Sequence, residues 1–311
     1  NDRQRLLELL NKVSNWKALP NEIIVIDSSK EKIEIPQSLE LSMRKMNINL
    51  VFIYKKNLYP GHARNIGISN SSNDLLAFLD TFTYPSDNWL ASGLSIMRKD
   101  IYQGVWGKTF YSANSLKPQI IRACTYGAKP IKTFPGSIFK KEVFFRCGLF
   151  VEFVRAGEDA DWMARTKIQS IKIATPEEHL KYNQLNYTSI KMLIKKWFRN
   201  YKFSAKLPFY RAHKDLYFYA ASFIFALIAF NWNQVLASWN THSIYYIPNI
   251  TKLSLLGILL IYTFIRGILM PFKKSVKFSF IFSLNLVFVV LLSMILDLTK
   301  FIAFIYAKFK N

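Results

Sequence analysis

The chain has 311 residues, 51% of them apolar, with 42 Lys and Arg against 20 Asp and Glu, a formal net charge of +22. That length and apolar share supply a sizeable core and more than one structural unit. The two cysteines, Cys124 and Cys147, have neither metal-ligand spacing nor the density of a disulfide framework, which suits a reducing compartment.

Up to about residue 187 strands, turns and charges alternate as in an α/β domain. Leu6, Leu7, Leu10 and Val13 recur at helical spacing and predict an amphipathic first helix. "EIIVIDSS" is an all-apolar run closed by Asp27, the pattern of a strand covered on both faces, and "INLVFIY" reads likewise. "PGHARNIGISNS" supplies a turn and a helix, and "LLAFLD" is a strand closed by Asp80. Ser86 to Lys99 reads as a helix with Trp89, Leu90, Leu94 and Met97 inward. "GVWGKTFY" is a strand, and "FPGSIFKKEVFFRCGLF" is strand, turn and helix. "GEDADWMARTKIQ" is a helix with its acids in the first turn, and "IKIAT" is a last strand.

This alternation predicts a mostly parallel sheet flanked by helices. In such sheets ligands gather at the carboxyl ends of strands, the edge where Asp27 and Asp80 stand. An Asp there also serves as a turn or helix cap, so position alone leaves both readings open. The acids at 158, 159 and 161 likewise suit a helix dipole whether or not they do chemistry.

The second half differs. Between Thr188 and Lys214 lie eight basic residues and no acid, interleaved with aromatics that include Trp197, Phe198 and Tyr201. Directly after it come apolar blocks at 216–236, 253–270 and 278–296, each near the roughly 20 residues that cross a bilayer core. Arg266 sits near one end of its block, where a long stem reaches the headgroups. The basic stretch therefore reads as an interface segment drawn to anionic lipid, and a nucleic-acid partner is disfavoured. Lys273, Lys274 and Lys277 mark their loop as cytoplasmic, while 237–251 has no Lys or Arg. The expected organisation is an α/β domain at 1–187, a basic amphipathic segment at 188–215 and a membrane domain at 216–311. Its location is the inner cell membrane, multi-pass, with the first domain cytoplasmic.

The order of the N-terminal blocks resembles the family 2 glycosyltransferases of the GT-A fold. "EIIVIDSS", "GHARNIGISNSSNDLLAFLD", "LDTFTYPSDNWL" and "GSIFKKEVFFRCGLFVEFVRAGEDADWMAR" carry the resemblance across about residues 1 to 180. It implies that Asp27, Arg64 and Asp80 bind a nucleotide-sugar donor, of UDP, GDP or dTDP type. It implies Asp159 as general base beside Glu158 in an inverting hexosyl transfer. Asp161, Trp162, Trp197 and Arg199 are the candidates for acceptor or interface contacts.

Two departures qualify the resemblance. The family's Asp-x-Asp is Asp80-Thr81-Phe82 here, so a divalent cation, Mg or Mn, keeps only Asp80 from this motif, with His179 as a further candidate ligand. The family's opening strand has no counterpart before Asn1, and the resemblance implies about ten further residues upstream, the usual length of a strand and its turn. The resulting expectation is sugar transfer to a lipid-linked saccharide or polyprenyl phosphate in envelope polysaccharide synthesis, with membrane lipids as partners. Phe82 and the absent strand favour an alternative, a non-catalytic glycosyltransferase-like partner subunit, which the Glu158-Asp159 pair disfavours.

Overall fold

The computed structural model describes residues 2–207 and 212–309. The chain forms two compact units. One comprises Asn1–Pro118, Lys129–Ser189 and Lys206–Tyr210; the other comprises Gln119–Ala128, Ile190–Ala205 and Arg211–Asn311.

The first unit opens with α1 (Asp2–Lys12), β1 (Glu22–Asp27), α2 (Gln37–Lys45), β2 (Asn49–Tyr54), α3 (Pro60–Asn70) and β3 (Leu75–Ala77). It continues with α4 (Trp89–Met97), β4 (Gly104–Tyr111), the start of α5 (Leu116–Cys124, whose residues from Gln119 on belong to the other unit), β5 (Ile131–Lys140), α6 (Glu142–Cys147), α7 (Glu158–Ile168), β6 (Ile173–Ala174) and β7 (Leu180–Tyr182). β1 and β2 form a parallel pair in register from Glu22↔Asn49 to Asp27↔Tyr54. The other strands form a second sheet in the order β3-β5-β4-β6, with β7 also paired to β4. β6 and β7 run parallel to β4, but β5 is antiparallel to both β3 and β4. The expectation of a mostly parallel sheet thus holds at three of the five pairings and is broken by β5.

Three apolar cores hold this unit, and two of them frame the site. Leu6, Leu10 and Val13 of the N-terminal helical stretch bury with Leu39 and Met43 of α2 and Ile48 before β2. A second core is aromatic: Trp162 of α7 stacks on Phe144 at 4.7 Å and Phe150 at 5.4 Å, and meets Phe139 and Phe134 edge-on at 5.0 and 5.5 Å. Its indole Nε1 donates to the Gly148 carbonyl at 2.9 Å, so the one polar atom of the ring is satisfied. This cluster fixes α7, the helix that carries the three acids, against the sheet.

The second unit contains α8 (Ile190–Ser204), α9 (Ala212–Phe230), α10 (Trp232–Val235) and α11 (Ile250–Tyr262), which runs on through a π-helix (Thr263–Leu269) into α12 (Met270–Lys273). α13 (Phe278–Ile281) and α14 (Asn285–Phe309) follow. The apolar block at 278–296 is therefore not one helix. The chain breaks after α13, and Ser283 Oγ accepts from the Asn285 N–H at 3.2 Å to start the next helix. α14 runs on beyond that block to Phe309.

Among the described residues, 250–273 and 285–309 are long and apolar enough to cross a membrane. Leu255, Leu256, Leu259 and Leu260 stand exposed along the first of them. The aromatics of α8 face α14, with Phe198 against Tyr306 at 5.6 Å and Tyr201 against Phe304 at 5.9 Å. Lys202 and Lys300 lie over the rings of Tyr306 and Tyr201. Arg266 does not snorkel. It pairs with Asp297 of α14 at 2.7 Å, and Tyr262 donates to the same carboxylate at 2.9 Å. Arg266 is partly buried on an apolar helix, and the Asp297 carboxylate supplies the partner charge that such a setting calls for.

Candidate active site

α3 enters the site through a close backbone approach. A Cβ on Gly61 would collide with the Val151 carbonyl, so only glycine lets α3 pack there. One turn on, Asn65 is buried, and its side chain accepts from the Phe150 N–H while donating to the Phe150 carbonyl and to Glu152, all within 2.8–2.9 Å. The amide ties the helix to the 150–152 segment and fixes the rotation of its neighbour, Arg64. Sequence reasoning passed over Asn65, although an amide inside a helix directly after an arginine is the signal that could have found it.

Arg64 is the hub. Its guanidinium contacts Glu158 at 2.8 Å and Asp80 at 3.7 Å, and lies over the rings of Phe134 and Phe150 at 5.0 and 5.5 Å. Burial alone would push its pKa down, but Asp80, Glu158 and Asp159 outweigh this and hold it above the ordinary value. Glu158 moves up, because burial and the adjacent Asp159 charge exceed the help it receives from Arg64. One Glu158 oxygen, Oε2, is buried with no hydrogen-bond partner among the described residues. One guanidinium faces three carboxylates, so the fully ionised cluster carries a formal excess of two negative charges.

Gly157 supports this arrangement from below. Its φ of +94° turns the chain into α7, a conformation that L side chains rarely adopt, and it puts Glu158 and Asp159 in the first turn. Asp159 is half-buried, and its Oδ1 accepts from the Ala160 N–H at 2.7 Å. The positive end of the α7 dipole lies beside both acids.

Asp80, Arg64, Glu158 and Asp159 thus meet, while other expected residues stand elsewhere. Asp27 is buried at the end of β1, with one oxygen accepting from the Ser29 N–H and Oγ and the other from the Ile33 N–H. Its hydrogen bonds close its own turn, leaving it the remaining lone pairs of the carboxylate for any ligand.

The expectation that Asp161 and Trp162 touch an acceptor is corrected. Trp162 is fully buried at the centre of the aromatic core, and Asp161 is buried in an ion pair with Arg165 at 3.0 Å. His179 lies edge-on to Phe110 at 6.0 Å, and no group of three or more His, Cys, Asp or Glu converges into a metal cage among the described residues. Trp197 and Arg199 belong to α8 of the second unit, where Trp197 meets Tyr126 at 6.1 Å and Arg199 donates to Asn200. Phe82 lies beneath a cation, the Arg5 guanidinium of α1, 4.6 Å from the ring centre.

Residues 1–151 match the family described as glycosyl transferase family 2. A curated relative from Rickettsia bellii (strain RML369-C), called an uncharacterized glycosyltransferase, is 32% identical over 154 residues, which cover 44% of this chain and 21% of that protein. The chain thus spans about a fifth of that relative's length.

Among solved structures, the mannosyltransferase PcManGT from Pyrobaculum calidifontis, in complex with GDP-Man and Mn2+, aligns at a TM-score of 0.53 and 12% identity. That alignment covers 99% of this chain and 85% of that one. S. aureus TarS 1–349 aligns at 0.44 and 12% identity, over 100% and 89% of the two chains. The likeness to PcManGT establishes the fold: residues 1–151, which match glycosyl transferase family 2, lie within a GT-A-like α/β fold.

Proposed function

We propose that this protein is an inverting glycosyltransferase that moves a sugar from a nucleotide-sugar onto an acceptor hydroxyl. The observation that carries the reading is the Arg64 hub, which gathers Asp80 and the adjacent pair Glu158 and Asp159 from two separate stretches of the chain. Asp159 takes the proton of the acceptor hydroxyl as that oxygen attacks the anomeric carbon and the nucleoside diphosphate departs from the opposite face. Glu158 holds Arg64 in place, and its unpartnered Oε2 is an acceptor for a substrate hydroxyl. Asp80, half-exposed beside Arg64, faces the donor phosphates.

An arriving diphosphate meets a cluster that is already negative. A divalent cation suits this charge balance, and Asp80 would hold it together with phosphate oxygens and water, because Phe82 supplies no ligand. It would neutralise charge on the leaving group. A structural neighbour lends the donor class support: PcManGT is described with GDP-Man and Mn2+.

The two long apolar helices support a membrane-bound enzyme working at the cytoplasmic face on a lipid-linked saccharide or polyprenyl phosphate, with a role in envelope polysaccharide synthesis. Lys191, Lys195 and Arg199 of α8 would meet anionic headgroups. Screening the purified full chain against UDP-, GDP- and dTDP-sugars, with and without chelator, tests the proposal. Release of one nucleoside diphosphate is expected, and it falls on chelation if a cation takes part. No release from any donor would contradict the reading.

A further inference from the structure

A cavity of about 260 Å³ opens in the first unit between α1 and the segment that follows β7. It is walled by Arg5 and Glu8 of α1, by Phe82 and Tyr84 after β3, and by Gln184 and Tyr187 after β7. None of these residues takes part in the Arg64 hub, yet Phe82 stands two positions from Asp80.

The walls are pre-organised. Arg5 stacks on Phe82, and with the Gln184 amide turned so that its nitrogen donates to Tyr182 Oη at 3.0 Å, its oxygen accepts from both terminal nitrogens of Arg5, at 2.5 and 3.3 Å. Lys12 caps the Tyr84 ring at 5.2 Å. Glu8 accepts from Gln4, and Tyr187 is 78% exposed at the rim.

The chemistry of this lining selects a ligand class. Arg5 and Glu8 offset each other in the lining, with Lys12 over the Tyr84 ring beside them, so the cavity holds no cluster of cations built around a phosphate. Instead it presents planar groups with paired donors and acceptors beside aromatic faces. Neighbouring equatorial hydroxyls of a pyranose match such forks, and the apolar C–H face of the ring packs on an aromatic side chain. A cavity of this size has room for one monosaccharide unit.

We infer that this cavity is a saccharide subsite that holds one hexose unit through Arg5, Glu8, Gln184 and the Tyr187 ring. The inference rests on the transferase reading for its expectation of a sugar, but its test needs no turnover. Phe82 thereby gains a role, as the platform that orients Arg5 at the position where the family carries a second acid.

The test is saturation-transfer NMR on the full chain in detergent with a panel of methyl hexosides. Transfer to at least one hexoside is expected. It should fall about three- to tenfold in Tyr187→Ala and in Gln184→Ala, the range of one lost aromatic or polar contact, and persist in Tyr187→Phe. The exposure of Tyr187 makes its truncation harmless to the core.

Competition then distinguishes the two sources of the sugar. Displacement by a nucleotide-sugar but not by the bare nucleoside diphosphate assigns the donor sugar, and persistence against both assigns an acceptor unit. No transfer to any hexoside, transfer undiminished in both variants, or displacement by the bare nucleoside diphosphate would overturn the inference. Because these readouts need no catalysis, they separate its failure from failure of the transferase proposal.

Discussion

Two arginines, one in each unit, are held by carboxylates, and the difference between them separates a site from a lock. Arg266 meets Asp297, and the same carboxylate receives the Tyr262 hydroxyl, so the group is closed on itself. Arg64 meets one carboxylate closely, a second at 3.7 Å, and feels a third, while an oxygen of Glu158 is left buried without a partner. The first arrangement joins two helices. The second is negative, partly open and unfinished, which is the condition of a pocket awaiting a ligand.

Breaking each hub tests that contrast. Arg64→Ala leaves Glu158 buried without its cation, at a cost of about 3–5 kcal/mol, and should abolish transfer as well; thermal unfolding and donor turnover read the two together. Asp297→Ala strands Arg266 and should destabilise the second unit by a similar 3–5 kcal/mol, read by unfolding in detergent. The double replacement Arg266→Met with Asp297→Leu should recover most of that loss. An equivalent rescue of transfer at Arg64 and Glu158 is not expected, because there the charges serve chemistry.

Trp162→Ala empties the aromatic core beneath α7 and should cost about 3–5 kcal/mol in thermal unfolding. Smaller still is a pH effect. Glu158 titrates above the ordinary carboxylate value, so its contribution to stability is present below its unfolded pKa and is lost as pH rises through its raised folded one. Activity follows the opposite sense. As pH falls through that raised value Arg64 loses its nearest anion, and the acid limb of the rate profile should stand above the carboxylate range and move to lower pH in Glu158→Gln, where the base Asp159 must still be unprotonated. Least of all, Lys140→Gln, which breaks the exposed pair with Asp100, should move stability by less than about 0.5 kcal/mol.

Much of the fold is legible in local pattern. β1, β2, α3 and α7 follow from apolar runs, turn residues and first-turn acids, because those signals are written within a few positions. β5 is not legible as an antiparallel strand, since its direction depends on two partners far along the chain.

The site was read unevenly for the same reason. Glu158, Asp161, Trp162 and Thr166 are all buried and fall at i, i+3, i+4 and i+8, one face of a helix. Counted that way, Trp162 and Asp161 belong to the core, and Asp159 is the acid turned off that face. Asp297 as partner to Arg266, and Arg5 as partner to Phe82, come from pairs 31 and 77 positions apart, which no spacing rule connects.

The account turns on Asp159 as the group that receives the acceptor proton. The direct measurement is turnover of the best nucleotide-sugar by Asp159→Asn in the full chain, beside its unfolding temperature. The prediction is a loss of about 10²- to 10⁴-fold with the unfolding temperature unchanged, since the amide keeps the shape and the Ala160 contact but accepts no proton. Turnover equal to that of the parent protein would contradict it.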